Sequence, residues 1–349
     1  MNNFDDIKWG KVRLSDIFSE ISRGKISDLR NVDDGKTIII AASGVNEGLS
    51  CFSNNDAVTK DAMTISFNGV GTGTAFVHNY PFNLNNDCGL VAPKNKISNY
   101  ALRFIAVCIN QNKEKFNYGY KANEKRILRQ TILLPIMEDG KPDYETMEKV
   151  IKEIESKKRN EYLDYCKEQL KFIGGGYDLI PLKDKEWKSF FIVDIFDNIQ
   201  RGKRLKTADH LSGKVPYVSS SALNNGVDNF VSNEKGVRLF SNCISLANSG
   251  SVGSSFYEPF EFVASDHITH LKNDEFNKYH YLFLATMTSR LSQKYNFNRE
   301  INDKRISREI ILLPVNDQGD PDYDYMEKYS KNTFREKMQN YIDYIGDFN

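Results

Sequence analysis

The sequence has no excess charge of either sign: 47 lysines and arginines balance 47 aspartates and glutamates. Such a chain exerts no whole-molecule field on a polyanion, so any nucleic-acid site must be a local basic patch. It also has no CxxC spacing. Its five cysteines, Cys51, Cys88, Cys108, Cys166 and Cys243, are scattered, which argues against a zinc ribbon or a disulfide framework and for reduced core residues in a cytoplasm. The opening MNNFDDIKWGK has no apolar signal core, and no apolar run approaches membrane-spanning length. Neither secretion nor membrane insertion is expected, and the expected location is cytoplasmic.

What the chain does have is a repeat. Residues 125–150, KRILRQTILLPIMEDGKPDYETMEKV, and 304–329, KRISREIILLPVNDQGDPDYDYMEKY, share fifteen of twenty-six positions without a gap. In each, an apolar run (Ile132 to Leu134; Ile311 to Leu313) stops at a proline, passes a turn at Gly140 or Gly319, and enters a charged periodic segment. The pattern predicts a buried strand, a turn, and a helix opening just after Pro142-Asp143 or Pro321-Asp322. The match extends to the whole of each half. Trp9 and Asp16-Ile17-Phe18 return as Trp187 and Asp194-Ile195-Phe196, and Arg23-Gly24-Lys25 as Arg201-Gly202-Lys203. Ser43 to Gly48 matches Ser221 to Gly226 at an offset of 178, and Ile65 to Asn68 matches Ser245 to Asn248 at an offset of 180. Only the middles, 72–98 against 254–277, diverge strongly. A unit this long is a duplicated domain, not a solenoid repeat.

Within each copy, β-rich runs punctuated by glycine and asparagine (Thr37 to Ala42, Met63 to Phe67, Thr74 to Val77; Val215 to Ser219, Cys243 to Ala247, Glu261 to Ala264) precede a helical segment, Tyr100 to Phe116 or Tyr279 to Tyr295. The expected fold class is α+β, mixed, without strict βαβ alternation. A long helix closes each copy. Met147, Ile151, Ile154, Tyr162, Cys166, Leu170 and Ile173 form a stripe at helical spacing, and Met326, Phe334, Met338, Tyr341 and Ile345 repeat it. Two such helices suit an antiparallel, coiled-coil-like pair; the alternative is that each lies on its own domain. Gly174-Gly175-Gly176 is the clearest linker. The expected division is 1–144 and 177–323 for the two domains, with 145–176 and 324–349 for the helices, the Gly linker included in the first.

The ordered set W…DIF…RGK, VPYVSSSALNNG, ISLANSGSVGSSFY and ILLPV…G.PDY..ME followed by a helix resembles the specificity subunits of type I restriction-modification systems and their short type IIB relatives. The resemblance covers nearly the whole chain, twice. It implies two target-recognition domains that each read half of a split double-stranded DNA sequence, and helices that hold them apart and dock adenine-methyltransferase subunits beside a nuclease or translocase component. It implies no chemistry and no cofactor in this chain, S-adenosylmethionine being bound by the partner. Along the two helices the docking residues would be Met147, Ile151, Ile154, Tyr162, Met326, Phe334, Met338 and Tyr341. A helix of about 27 residues is roughly 40 Å long, near the roughly 34 to 36 Å of one DNA turn. Within the resemblance, helices shorter than those of most type I members imply the compact type IIB arrangement.

DNA reading needs cations for phosphates and amides or hydroxyls for base edges. The candidate cations are Lys121, Lys125, Arg126 and Arg129, repeated as Arg299, Lys304, Arg305 and Arg308, together with Arg23, Lys25, Arg201, Lys203, Arg204 and Lys206. A solvated charged turn is the alternative reading. The candidate base readers are Asn46 and Asn68 in the first copy and Ser220, Asn224, Asn225, Asn248, Ser249 and Ser251 in the second, residues that elsewhere simply cap turns. Tyr118, Tyr120 and Phe297 are candidates for sugar or base contacts. Two other classes compete. Phe67-Asn-Gly69-Val-Gly71 loosely matches a cofactor loop, which would make the chain a stand-alone S-adenosylmethionine-dependent methyltransferase, but no Asn- or Asp-Pro-Pro-aromatic motif accompanies it. A protein-binding scaffold without DNA contact would also suit the neutral charge. Asp266-His267-Ile-Thr-His270 contains ligand-like residues, but on a strand the two histidines face opposite sides, so no metal is expected.

Overall fold

The computed structural model describes residues 7–69, 71–117, 119–296 and 298–346. The chain divides into two compact units, Met1–Tyr162 and Leu163–Asn349. In chain order the first contains β1 (Trp9–Arg13), α1 (Leu14–Ile17), β2 (Phe18–Arg23), β3 (Thr37–Ile40), β4 (Leu49–Ser53), β5 (Ala62–Ser66), β6 (Ala75–His78), β7 (Phe82–Leu84), β8 (Cys88–Pro93), α2 (Asn99–Asn110), α3 (Glu124–Leu128), β9 (Thr131–Pro135) and the start of α4 (Tyr144–Ile173). The second contains β10 (Trp187–Phe191), α5 (Ile192–Ile195), β11 (Asn198–Arg201), β12 (Ser212–Val218), β13 (Val227–Val231), β14 (Leu239–Phe240), β15 (Cys243–Ala247), β16 (Ser255–Glu258), β17 (Phe262–Ala264), β18 (Ile268–Lys272), α6 (Lys278–Ser289), α7 (Asp303–Ile306), β19 (Ile310–Pro314) and α8 (Tyr323–Gly346).

The two units share one topology apart from β14, which only the second has among the described residues. A four-stranded sheet has the order β2-β8-β5-β6 in the first and β11-β18-β15-β16 in the second. Beside it lie β4-β3-β7 and β13-β12-β17-β14, each with one parallel pair, β3 with β7 and β12 with β17. This is the mixed α+β class that the alternation-free pattern predicts. The divergent middles therefore fold alike, because burial of the alternate residues and not their identity is what the sheet requires.

The repeated ILLP run differs from the expectation of a buried strand. β9 and β19 pair only with β1 and β10, in two-stranded sheets. Ile132 and Leu134 are buried, as are Ile311 and Leu313, whereas Leu133 and Leu312 stay 55% and 50% exposed. A strand's side chains alternate, and here only one face meets the core. The helix openings follow the predicted chemistry. Asp143 Oδ1 accepts from Thr146 N at 3.0 Å and Asp322 Oδ1 from Tyr325 N at 3.0 Å, capping α4 and α8 one residue ahead of each.

Met147 and Val150 at the start of α4 enter the first unit's core, with Leu102 and Ile105 of α2. Met326 does the same on α8, at 0% exposure like Met147. Within the second unit, Cys166, Leu170 and Ile173 of α4 cluster with Phe334, Met338, Tyr341 and Ile342 of α8. The two helices run in opposite senses there. Gly174 O accepts from Arg335 at 2.5 Å, and Tyr177 N donates to Asn332 Oδ1 at 2.9 Å. Between these anchors, Ile154 and Tyr162 are each 47% exposed. The stripe read from sequence thus turns away from any core in its middle, as a periodic stripe on a long straight helix does when neither end dictates the other's direction. Met326→Ala is expected to destabilise the second unit by about 2–5 kcal/mol. Denaturant unfolding checks this, and Leu312→Ala on the exposed strand face should change stability far less.

Cys88, Cys108, Cys166 and Cys243 are buried and Cys51 is half-buried. Burial pushes the thiols of Cys88 and Cys243 up to about 12 and that of Cys108 to about 11, which makes them poor nucleophiles. Among the described residues no helix is long and apolar enough to cross a membrane.

Candidate nucleic-acid interface

In each unit the candidate residues come from distant segments and meet at one end of the sheets. In the first, Arg23 at the end of β2 holds three segments together. Its Nε lies 2.5 Å from Glu124 Oε1 of α3, its NH1 donates to Asn86 O at 3.1 Å, and its guanidinium lies 4.6 Å from the Phe67 ring centroid. Thr72 Oγ1 donates to Phe67 O at 3.2 Å and accepts from Ala122 N at 3.0 Å, tying the 67–73 turn to the segment ahead of α3. The 43–48 loop abuts the same turn: a Cβ on Gly71 would lie 2.2 Å from Ser43 C.

The second unit repeats this. Arg201 Nε donates to Asp266 O at 2.5 Å and its NH2 to Asn248 Oδ1 at 3.3 Å. Ile301 N donates to Asn248 O at 2.9 Å, and Ser251 N to Ser220 O at 3.1 Å. Gly24 and Gly202, within the two RGK motifs, allow a close approach, but of the chain's own backbone. A Cβ would meet Asn85 O at 2.2 Å in one and Ser265 O at 2.1 Å in the other.

The basic clusters fold as matching devices. Asn123 caps α3 through Arg126 N at 2.9 Å, and Asn302 caps α7 through Arg305 N at 3.0 Å. The Arg126 guanidinium donates to Lys121 O at 2.6 Å and lies over Tyr120 at 4.0 Å; Arg305 donates to Glu300 O, the equivalent carbonyl. These two arginines stabilise their own turns. Lys125, Arg129, Lys304 and Arg308 are exposed and have no ion-pair partner among the described residues, which leaves them open to phosphates. Arg299 is exposed with its guanidinium 5.2 Å from the Tyr295 ring centroid. Lys121 is half-buried, whereas Lys25, Lys203, Arg204 and Lys206 are exposed. Tyr118 and Phe297 lie outside the described residues.

The polar candidates separate by burial. Asn46, Asn224 and Asn225 sit exposed at loop tips with φ of 50°, 50° and 52°, a backbone region that asparagine tolerates better than most residues. Ser251 and Ser220 are half-buried. Asn248 corrects the expectation of a base reader. It is 1% exposed, and its Nδ2 lies 3.3 Å from Asp266 O and 3.1 Å from Thr269 Oγ1, so its amide is committed inside the fold. Ser249, at 3% exposure, is withdrawn too, and its hydroxyl meets His267 Nδ1. Asn68 is half-buried, with Nδ2 at 3.3 Å from Asp87 Oδ1.

These bonds also change the alignment of the two copies. Ser66 N donates to Thr74 O and Phe67 N to Asp87 O; Ala247 N donates to Ser254 O and Asn248 N to His267 O. Phe67 therefore occupies the place of Asn248, Asn68 that of Ser249, Asn86 that of Asp266 and Asp87 that of His267. The offset is 181 at Asn68, not the 180 that pairs it with Asn248, and 180 at Asp87, because loop lengths differ by a residue where side-chain identity gives no marker. The two histidines do not converge. His270 is buried, stacked on Phe240 at 3.8 Å, with Nδ1 3.0 Å from Gln200 O, while His267 is 47% exposed. Asp87 and His267 are functional candidates that residue type alone does not single out, and their equivalence is visible only through the backbone pairing.

Of the helix residues expected to dock partners, Met147 and Met326 are buried in their own unit's core. Phe334, Met338 and Tyr341 belong to the α4–α8 contact of the second unit, and Ile151 is half-buried against the first core. This corrects the docking assignment of Met147, Met326 and Met338, which packing within the chain buries, whereas Ile151, Phe334 and Tyr341 stay half-buried. Ile154 and Tyr162 remain exposed.

Duplicated α+β units, each gathering cations and polar loops at one end of its sheets, define a two-headed DNA-recognition protein. The chain belongs to the type I restriction modification DNA specificity domain family, whose description it matches twice, at residues 6–163 and 184–343. It is 28% identical over 335 residues to the specificity subunit S.BcgI of a type II restriction enzyme from Heyndrickxia coagulans, spanning 94% of this chain and 95% of that one. It is also similar to the crystal structure of the S subunit of a type I restriction-modification system from M. genitalium, with 14% identity, a TM-score of 0.45, and coverage of 99% and 94%.

Proposed function

We propose that this chain is the non-catalytic specificity subunit of a restriction-modification complex, reading a bipartite DNA target with its two units and docking adenine-methyltransferase and nuclease components. The carrying observation is the pair of equivalent clusters, Arg23 with α3 and Arg201 with Asn248, whose carbonyl accepts from Ile301 ahead of α7, in a chain whose two halves match the same DNA-specificity family. S-adenosylmethionine would be bound by the partner, and the complex would act in the cytoplasm beside host DNA. The compact type IIB arrangement is supported by the similarity to S.BcgI over nearly its full length. Gly71 of the FNGVG loop is packed tightly against Ser43 and Gly69 has a φ of 64°, which supports a structural turn over a cofactor loop.

In this reading α4 is the spacer. Its exposed stretch, residues 156–161, is the place to lengthen it, since Met147 and Val150 lie in the first core. Inserting one helical turn after Lys158 is expected to shift the spacing between half-sites in the modified genome while leaving both half-site sequences intact. Altered half-site sequences at unchanged spacing would overturn the spacer assignment. Methyl transfer by the purified chain alone would overturn the non-catalytic one.

A further inference from the structure

Two positions in the recognition face are structurally equivalent and chemically different. The backbone pairing superposes Asn68 on Ser249 and Asp87 on His267, and each position makes a side-chain contact to the other within its own unit. The frame around them is the same in both. Arg23 and Arg201 donate to the carbonyl just before Asp87 or His267, those of Asn86 and Asp266. Each arginine also touches the residue just before Asn68 or Ser249: Phe67 through its ring, Asn248 through Oδ1. A shared clamp thus presents an amide–carboxylate pair in one unit and a hydroxyl–imidazole pair in the other. Asn68 and Asp87 are half-exposed, and the His267 side chain is 47% exposed with Ser249 buried behind it. If both units use this face on DNA, a difference held in a common frame is what two half-sites of different sequence require.

Resting on the functional reading above, we propose that Asn68–Asp87 and His267, with Ser249 as its positioning residue, are equivalent base-reading positions that distinguish the two half-sites. The chemistry assigns a class of base to each. With one Asn68 N–H directed at Asp87, the pair offers mainly acceptors, the free carboxylate oxygen and the Asn68 carbonyl. Acceptors select an exocyclic amine in the major groove, that of adenine or cytosine. In the second unit the proposal has the Ser249 hydroxyl donate to Nδ1, which leaves the hydrogen on Nε2. The nearest carboxylate, Asp266 Oδ1, is 4.0 Å from Nε2, beyond hydrogen-bonding distance. An outward N–H selects a purine acceptor, guanine O6 or N7 or adenine N7.

The test is an exchange in the full chain, co-expressed with its methyltransferase partner, with modified adenines mapped across the genome. Ser249→Asn with His267→Asp should leave the first half-site and the spacing unchanged. At one base pair of the second half-site, preference should change on the order of ten- to a hundredfold, toward a base that carries an exocyclic amine. Ser249→Ala alone, which leaves the ring and removes its anchor, should relax discrimination at that same base pair. This milder variant, with a thermal melt to confirm folding, keeps the proposal testable if the exchange variant fails to fold. An unchanged second half-site with uniformly reduced modification in either folded variant overturns the proposal. A wild-type complex that modifies no split sequence overturns the functional reading as well.

Discussion

Replacing Lys125, Arg129, Lys304 and Arg308 together with alanine is expected to lower the slope of log Kobs against log salt by about 3.6, or 0.9 for each duplex phosphate that is no longer neutralised. Their exposure and their lack of ion-pair partners among the described residues single them out. Arg126 and Arg305 lie in the same clusters but are directed at the carbonyls of Lys121 and Glu300. Their removal should loosen the turns ahead of α3 and α7 and change binding less steeply with salt. Because phosphate contacts carry no sequence information, the fourfold variant should weaken binding uniformly across targets. Titrations from low to physiological salt, with the complex on target and on unrelated DNA, decide the matter. An unchanged slope would show that the clusters are solvated charge and nothing more.

The two units should respond to pH in opposite directions. At equivalent places in the four-stranded sheets, Thr64 Oγ1 meets His78 Nε2 at 2.8 Å in the first unit, and Ser245 Oγ donates to Glu258 Oε1 at 2.8 Å in the second. Both titratable side chains are at 0% exposure. Burial holds His78 down to about 4, although Glu47 Oε2 lies 4.0 Å from its Nδ1 and the Tyr80 hydroxyl is also in contact. Burial pushes Glu258 up to about 7, with Oε2 lacking a hydrogen-bond partner and with Cys243 on the paired strand the nearby titratable group.

The signs follow from which form the fold prefers. Neutral His78 contributes stability that is present above the ordinary histidine value of 6.5 and is lost as pH falls toward 4. Neutral Glu258 contributes stability that is present below 4.5 and is lost as pH rises toward 7. Each shift corresponds to about 3 kcal/mol. Hydrogen exchange on the full chain is expected to show β5 and β6 opening more readily at pH 5 than at pH 8, and β15 and β16 opening less readily. Glu258→Gln should abolish the second trend, and a second unit that keeps its pH response in that variant would refute the assignment to Glu258.

Much of the fold is legible locally. The helix openings at Tyr144 and Tyr323 follow from an aspartate cap behind a proline, chemistry contained within five residues. The half-buried character of β9 and β19 was not legible, because Ile-Leu-Leu is apolar on both faces and only the absence of a second covering layer exposes Leu133 and Leu312. At the candidate interface, Arg23 and Arg201, and likewise Arg126 and Arg305, make equivalent bonds in the two units, as the repeat in the sequence leads one to expect. The repeat misaligned Asn68 with Asn248, since two asparagines in similar loops look equivalent until the bonds from Phe67 and Asn248 to Asp87 and His267 set the register.

The sequence by itself determined that this protein is a duplication, which segments recur, where the long helices begin, and that matched basic clusters recur in both copies despite a net charge of zero. These are properties of order and composition along the chain, and an ungapped repeat preserves them. Only the tertiary structure decided which side chains are available. Asn248 and Met147 look like surface candidates in sequence and are buried by segments far along the chain, while His267, one of two histidines that the spacing places on opposite strand faces, is left exposed beside Arg201's clamp. Exposure depends on what packs from other segments, and a one-residue shift in register is enough to exchange a buried side chain for an exposed one.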